Sequence, residues 1–286
     1  MTESLQQRPD QQLFAPALGE IRREGRLAGR KILIVGAGQR SIEEENPPVG
    51  NGRAMSVLFA REGAAVACAD IDAGAAQETV DWIAREGGRG VVVQADVADP
   101  DQIARMVREA ASALGGLDGL VVNVGIANPN RFGSEKPADW DRVQAVNLRA
   151  PMLCAQEAAA VMSEGSAMVF ISSAAAISPV AGLPAYETSK AGMVALARSV
   201  AFAGQSKGLR ANALAPGLID TPLGRYANSV NAARMAKIPL PFGRQGTGWE
   251  VAQAALFLIS TESSYLNAQV LVLDGGMLNG VVRAPA

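Results

Sequence analysis

A chain of 286 residues, 49% hydrophobic and 19% charged, is large enough for a full core, and its net charge of −2 gives no basic stripe for nucleic acid. No apolar run approaches the roughly 20 residues of a membrane span. Histidine is absent altogether, which excludes serine–histidine–acid and cysteine–histidine catalysis and histidine-ligated metal sites, and leaves proton transfer to Tyr, Lys, Asp, Glu or water.

The chain begins with a polar stretch of mixed charge. It has no apolar signal-peptide core, and Glu3, Asp10, Glu20 and Glu24 argue against a transit peptide. Residues 1–29 read as an N-terminal arm, with Phe14, Leu18, Ile21 and Leu27 available to dock a short segment on the body or on a neighbouring subunit. Cys68 and Cys154 lie in apolar stretches and read as reduced core thiols of a cytoplasmic protein.

From Lys31 onward strand and helix alternate. Strands are expected at Lys31–Val35, Ala65–Ala69, Gly90–Ala95, Gly119–Asn123, Ala167–Ile171, Arg210–Leu214 and Gln269–Leu273, short apolar runs without clean alternation, as strands buried on both faces read. Helices are expected at Arg53–Glu62, Ala73–Glu86, Pro100–Leu114, Pro137–Met162, Tyr186–Gln205 and Trp249–Ser260. Residues 30–286 therefore predict one α/β domain, a Rossmann-like doubly wound parallel sheet of about seven strands with helices on both faces. Residues 217–248 form an excursion too long for an ordinary connection and rich in Pro and Gly, as active-site lids often are.

A glycine-rich turn follows the first strand, but in two parts. Gly36 and Gly38 precede the segment Arg40–Val49, and Gly50 and Gly52 follow it. Glycine admits the backbone close to a pyrophosphate, and the helix start offers free N–H groups. The intervening loop carries Glu43, Glu44 and Glu45, which a pyrophosphate repels, so they are expected to face solvent or a basic partner. A flap folding over the adenosine half of a dinucleotide is one role for this loop; a plain exposed loop is the other. Asp70 ends the second strand, where a carboxylate accepts from a ribose diol and repels a 2′-phosphate, so NAD is expected over NADP. Asp96 and Val97 after the third strand are positioned to meet the adenine, and Asn123 and Gly125 after the fourth to floor the cofactor.

Ser172-Ser173 ends the fifth strand. Tyr186 stands thirteen residues past Ser173 and opens a helix, with Lys190 at i+4 on the same face. An ammonium beside a phenol is expected to lower the tyrosine pKa from about 10, and Ser173 can hydrogen-bond a reacting oxygen. A solvated helix face is the alternative meaning of such a pair.

Tyr186-Glu187-Thr188-Ser189-Lys190, Ser173 upstream, Asn123-Val124-Gly125 and Pro216-Gly217 after a strand together resemble the short-chain dehydrogenase/reductase family, from about Leu27 to Met277. The resemblance implies that Tyr186 is the general acid/base, that Lys190 binds the nicotinamide ribose, and that Ser173 positions the substrate oxygen. It implies that Asn147 kinks its helix and holds a relay water. It also implies that Pro216–Thr221 cups the nicotinamide, with Ile219 and Thr221 near its carboxamide, that Asp274-Gly275-Gly276 is the C-terminal turn, and that the protein is a homotetramer built on Pro137–Met162 and Tyr186–Gln205. Two departures stand out: Val35 replaces the usual Thr, and Arg40–Val49 interrupts the glycine motif.

The expected pocket is mostly apolar: Ala174, Ala175, Val180, Leu183, Leu218, Leu223, Tyr226, Met235, Ile238, Leu240 and Phe242, with Arg131, Arg149, Arg225 and Arg234 considered as anion partners. This predicts an NAD(H)-dependent oxidoreductase for a largely uncharged secondary alcohol or ketone. An NADPH-dependent 3-oxoacyl reductase and a non-catalytic dinucleotide sensor are the alternatives.

Overall fold

The structure is a computed structural model and describes residues 15–20, 24–179, 182–225 and 240–280. Its frame is a seven-stranded parallel sheet in the order β3-β2-β1-β4-β5-β6-β9. The strands are β1 (Lys31–Val35), β2 (Ala65–Asp70), β3 (Arg89–Gln94), β4 (Leu117–Val122), β5 (Met162–Ile171), β6 (Arg210–Pro216) and β9 (Val270–Leu273). A separate two-stranded parallel ribbon pairs β7 (Ile219–Asp220) with β8 (Gly246–Thr247).

The sheet is parallel because each strand returns through a helix: α1 (Asn51–Arg61), α2 (Ala73–Arg85), α3 (Pro100–Leu114), α4 (Pro137–Gln144), α5 (Ala150–Val161), α6 (Pro184–Ala203) and α7 (Gly248–Ile259). Two cores result. One packs α3, α5 and α6 on one face; the other packs α1 and α7 on the opposite face, with Phe59, Ile34 and Leu258 fully buried. Caps fix the helix starts. Asp72 and Asp99 accept from Ala75 and Asp101, and Thr247 and Glu250 form a reciprocal capping box. Among the described residues no helix is long and apolar enough to cross a membrane.

Two stretches of residues 1–29 pack on the body. Leu27 is fully buried, and the turn at Ala15–Leu18 is held by Thr247 Oγ1 donating to the Ala17 carbonyl and Arg61 donating to that of Gly19, each at 2.7 Å. Leu18, by contrast, is exposed, and Phe14 and Ile21 lie outside the described residues.

The long helix expected over Pro137–Met162 is three elements. After α4, residues Ala145–Arg149 form a π-helical turn before α5 begins, and Met162 already belongs to β5. Periodicity misses the break because apolar spacing barely changes across one widened turn. β5 starts five residues earlier than its apolar run because Met162 pairs with Leu117 ahead of a register shift, while Gly165 takes φ +73°. The helix expected from Tyr186 begins at Pro184, since a proline in the first turn gives up no hydrogen bond.

Candidate active site

The motif residues lie at the carboxyl ends of the strands or in the segments that follow them, and the set runs along that edge across the switch point where the sheet order reverses between β1 and β4. The glycine turn is closed although its sequence is split. Gly36 takes φ +82°, and the N–H groups of Gly36 and Ala37 both donate to the Ala69 carbonyl. A Cβ on Gly52 would stand 1.9 Å from the Gly36 carbonyl oxygen, so the two halves touch backbone to backbone. Asn123 Nδ2 donates to that same carbonyl at 2.8 Å. Across the neck of the loop, Gly50 N–H donates to Gln39 Oε1 at 2.7 Å. Gln39 carries no motif signature in sequence, and its role appears only once both ends of the loop are adjacent.

Asp70 serves the turn directly. Its Oδ2 accepts from Gly38 N at 2.8 Å and its Oδ1 from Asp72 N at 3.1 Å. Asp96 accepts from Ala98 N in a local turn, whereas Val97 is buried in the core under α3, so its side chain packs there. The start of α1 has no side-chain cap, and Asn51, its first residue, has a buried Oδ1 that accepts no hydrogen bond. Bare backbone at Gly36, Gly38 and Gly52, uncapped helix N–H groups and that orphaned amide oxygen suit an anionic ligand bearing donor groups, as a dinucleotide is.

The proton-handling groups gather around Gly125, where a Cβ would sit 3.2 Å from Lys190 Nζ and 3.6 Å from Asn147 Oδ1. Asn147 lies in the π-helical turn and is fully buried. Its amide exchanges two 2.8 Å hydrogen bonds with the Ile126 backbone, and Nδ2 also donates to Ser189 Oγ at 3.0 Å. The helix irregularity and the fixed asparagine are thus one feature. Lys190 is 3% exposed, donates to the Ile171 carbonyl at 2.9 Å, and stands 5.8 Å from the centre of the Tyr186 ring. Burial pushes its ammonium down to about 8.

Tyr186 is half-buried, with Ser173 close enough to favour its ionised form. The expected lowering of its pKa does not hold. Burial raises it, and Ser173 opposes that rise only in part. The physical reason is desolvation of the phenol, with the Lys190 ammonium standing 5.8 Å from the ring centre rather than against the hydroxyl. Ser173 also accepts from Ala175 N at 3.2 Å, closing the short turn after β5.

Beyond β6, Gly217 N–H donates to Leu273, and a Cβ on Gly217 would come 2.7 Å from Asp274 Cβ, so the Pro216 stretch is pressed against the Asp274-Gly275-Gly276 turn. Ile219 sits in the β7 ribbon, and Thr221 is 9% exposed with Oγ1 accepting from Gly224 N. Of the apolar pocket residues, Ala174 and Ala175 are buried, Leu183, Leu218 and Leu240 are half-buried, and Leu223 and Phe242 are exposed. Val180, Tyr226, Met235, Ile238 and Arg234 lie outside the described residues. The other arginines considered for anions are engaged with protein: Arg131 with the Gly182 carbonyl, Arg149 with that of Ala98, and Arg225 with Asp220 and Glu44.

Comparison with known proteins adds family and fold. A family model described as enoyl-(acyl carrier protein) reductase matches residues 49–278. The chain is 34% identical over 260 residues to the 3-oxoacyl-(acyl-carrier-protein) reductase of Thermotoga maritima, covering 88% of this chain and 99% of that one. It is 37% identical over 231 residues to cis-4-hydroxycyclohexanecarboxylate dehydrogenase of Sinomonas cyclohexanicum, covering 79% and 92%. Among solved structures, a short-chain dehydrogenase from Burkholderia cenocepacia J2315 in complex with NADP superposes with a TM-score of 0.79 at 30% identity, over 88% of this chain and 99% of that one.

Proposed function

The chain belongs to the short-chain dehydrogenase/reductase family of oxidoreductases, and we propose that it is an NAD(H)-dependent enzyme interconverting a secondary alcohol and its ketone. The observation that carries this reading is the convergence of Ser173, Tyr186, Lys190 and Asn147 beside a glycine cradle shaped for a dinucleotide. Bound nicotinamide would exchange a hydride with the carbinol carbon.

The protein's own groups handle the oxygen and its proton. Tyr186 Oη takes the hydroxyl proton in oxidation and returns it in reduction. Ser173 Oγ, beside Tyr186, holds the same substrate oxygen. Lys190 brings a buried positive charge within 5.8 Å of the phenol ring, favouring phenolate when it titrates. Asn147, rigid in its π-helical turn, fixes the backbone at Ile126 beside Lys190. The apolar character of Ala174, Ala175 and Leu218, which follow β5 and β6, supports an uncharged substrate.

Asp70 supports NAD over NADP, since a carboxylate at the end of β2 repels a 2′-phosphate. The NADP complex of the Burkholderia relative and the name of the Thermotoga relative support a second reading, an NADPH-dependent 3-oxoacyl reductase. Exposed Met152 and Val161 on α5 and Phe202 on α6 support a homotetramer built on those helices.

The test is a panel of secondary alcohols and ketones, 3-oxoacyl thioesters included, with NAD(H) and NADP(H), followed by nicotinamide absorbance. NAD-linked turnover of an uncharged alcohol supports the proposal. Thioester reduction with NADPH alone would replace it with the second reading.

A further inference from the structure

The loop at 40–49 reaches toward the segment after β6. The adenosine side is marked by β2 and β3, where Asp70 and Asp96 lie, and the loop's Glu44 contact runs the other way. Glu44 pairs with Arg225, and Arg225 in turn clamps Asp220 through two hydrogen bonds of 2.7 and 2.8 Å. Asp220 belongs to β7, four residues after Pro216 closes β6. At the root of the same loop, the Val49 carbonyl lies so close to Gly248 that a Cβ there would stand 2.3 Å away. The loop inside the glycine turn is therefore fastened to the segment after β6 near its tip and to the first residue of α7 at its base.

Sheet order gives this link its meaning. Between β1 and β6 stand β4 and β5, so the two anchor strands are three strand spacings apart, about 14 Å. Asn123, Gly125 and Ser173 project from the ends of the intervening strands. A tie between the segments after β1 and after β6 joins the two flanks of the crevice that the proposed dinucleotide would occupy. All three glutamates are exposed, and Glu44 is the one that pairs with Arg225.

We infer that Glu44, Arg225 and Asp220 form a latch joining the glycine-turn loop to the segment after β6, and that the latch slows release of a bound dinucleotide. The inference rests on the dinucleotide reading above. Glu44 and Arg225 are positioning residues in it: they tie the two flanks together and do not touch the reacting atoms. Both side chains are 39% exposed, so the link is weak enough to open and sensitive to salt.

Stopped-flow displacement of NADH from wild type, Glu44→Gln, Arg225→Gln and the double variant tests it, with hydrogen exchange of residues 40–49 in the free proteins alongside. Glu44→Gln should release NADH about two- to fivefold faster, the range expected of an exposed ion pair. It should add nothing in the Arg225→Gln background, and it should speed exchange across 40–49. Wild type at about 1 M ionic strength, where the screening length is about 3 Å, should behave like the variant. A Glu44→Gln release rate equal to wild type, or an undiminished effect in the Arg225→Gln background, overturns the latch alone. A wild-type protein that binds neither NADH nor NADPH removes the dinucleotide reading, and the latch with it.

Discussion

Replacing Gly52 with alanine tests whether the two glycine pairs make one cradle. The new Cβ would stand 1.9 Å from the Gly36 carbonyl oxygen and 2.9 Å from Asn123 Nδ2. An ordinary contact lies near 3.5 Å, so the carbonyl must retreat by roughly 1.5 Å. It is not free to do so, because Asn123 Nδ2 holds it and the N–H groups of Gly36 and Ala37 are bonded to Ala69. Giving up these three bonds at about 1 kcal/mol each costs about 3 kcal/mol. If the turn yields only when ligand binds, that cost appears as a loss of about 100-fold in dinucleotide affinity; if it yields in the free protein, it appears as lost stability. The control is Gly50→Ala. Gly50 sits at φ −70°, and the nearest atom to its Cβ would be Gln39 Oε1 at 3.5 Å, an ordinary contact. Titration with NADH by fluorescence and thermal unfolding of both variants are the assays. Wild-type affinity and stability in Gly52→Ala would refute the closed turn, as would equal losses in the two variants.

Three further outcomes follow from the structure. Asp70→Ala should weaken NAD binding and narrow the gap to NADP, because it removes both the repulsion of a 2′-phosphate and the acceptor for Gly38 N–H; paired titrations with the two dinucleotides measure it, and an unchanged ratio contradicts the ribose role. Glu62 is fully buried, and although burial alone would raise its pKa, hydrogen bonds from Arg26 and the Glu24 backbone hold it below 4.5. Its contribution is therefore present above pH 4.5 and lost as pH falls through the lower folded value; Glu62→Gln should cost about 3 kcal/mol at neutral pH by urea unfolding and less in acid, and a loss independent of pH would count against it. Lys190 titrates near 8 in the folded protein but at 10.5 when unfolded, so the unfolded state binds more protons between those values and stability should rise with pH across that window; Lys190→Met should flatten the rise, and an equal slope in both proteins would contradict the burial argument.

Much of this architecture was legible in the chain because its signals are local. Apolar runs such as Lys31–Val35, the Asp99-Pro100 start of α3 and the i,i+4 spacing of Tyr186 and Lys190 each reflect one element's own chemistry. What could not be read depends on contacts between distant segments. Hydrophobic spacing gives no sign of the break at Asn147, which the family resemblance alone implies; it is stabilised by Ile126, twenty-one residues away. The raised Tyr186 pKa depends on how far the folded chain desolvates the phenol, which no local spacing states. The direction of the loop at 40–49 is set by Arg225, 181 residues further on. A run of three glutamates states only that a cation or water must answer it, and the fold supplies which cation.

The most direct measurement is Tyr186→Phe assayed for dinucleotide binding and for turnover on the best alcohol in the panel. Only the phenolic oxygen is removed, and the ring that packs beside Lys190 remains. The account predicts dinucleotide affinity within a few-fold of wild type and turnover reduced by at least about 10²–10⁴-fold, the contribution of a general acid/base. Turnover that survives the substitution would contradict the assignment of proton transfer to Tyr186 and, with it, the proposed chemistry of the site.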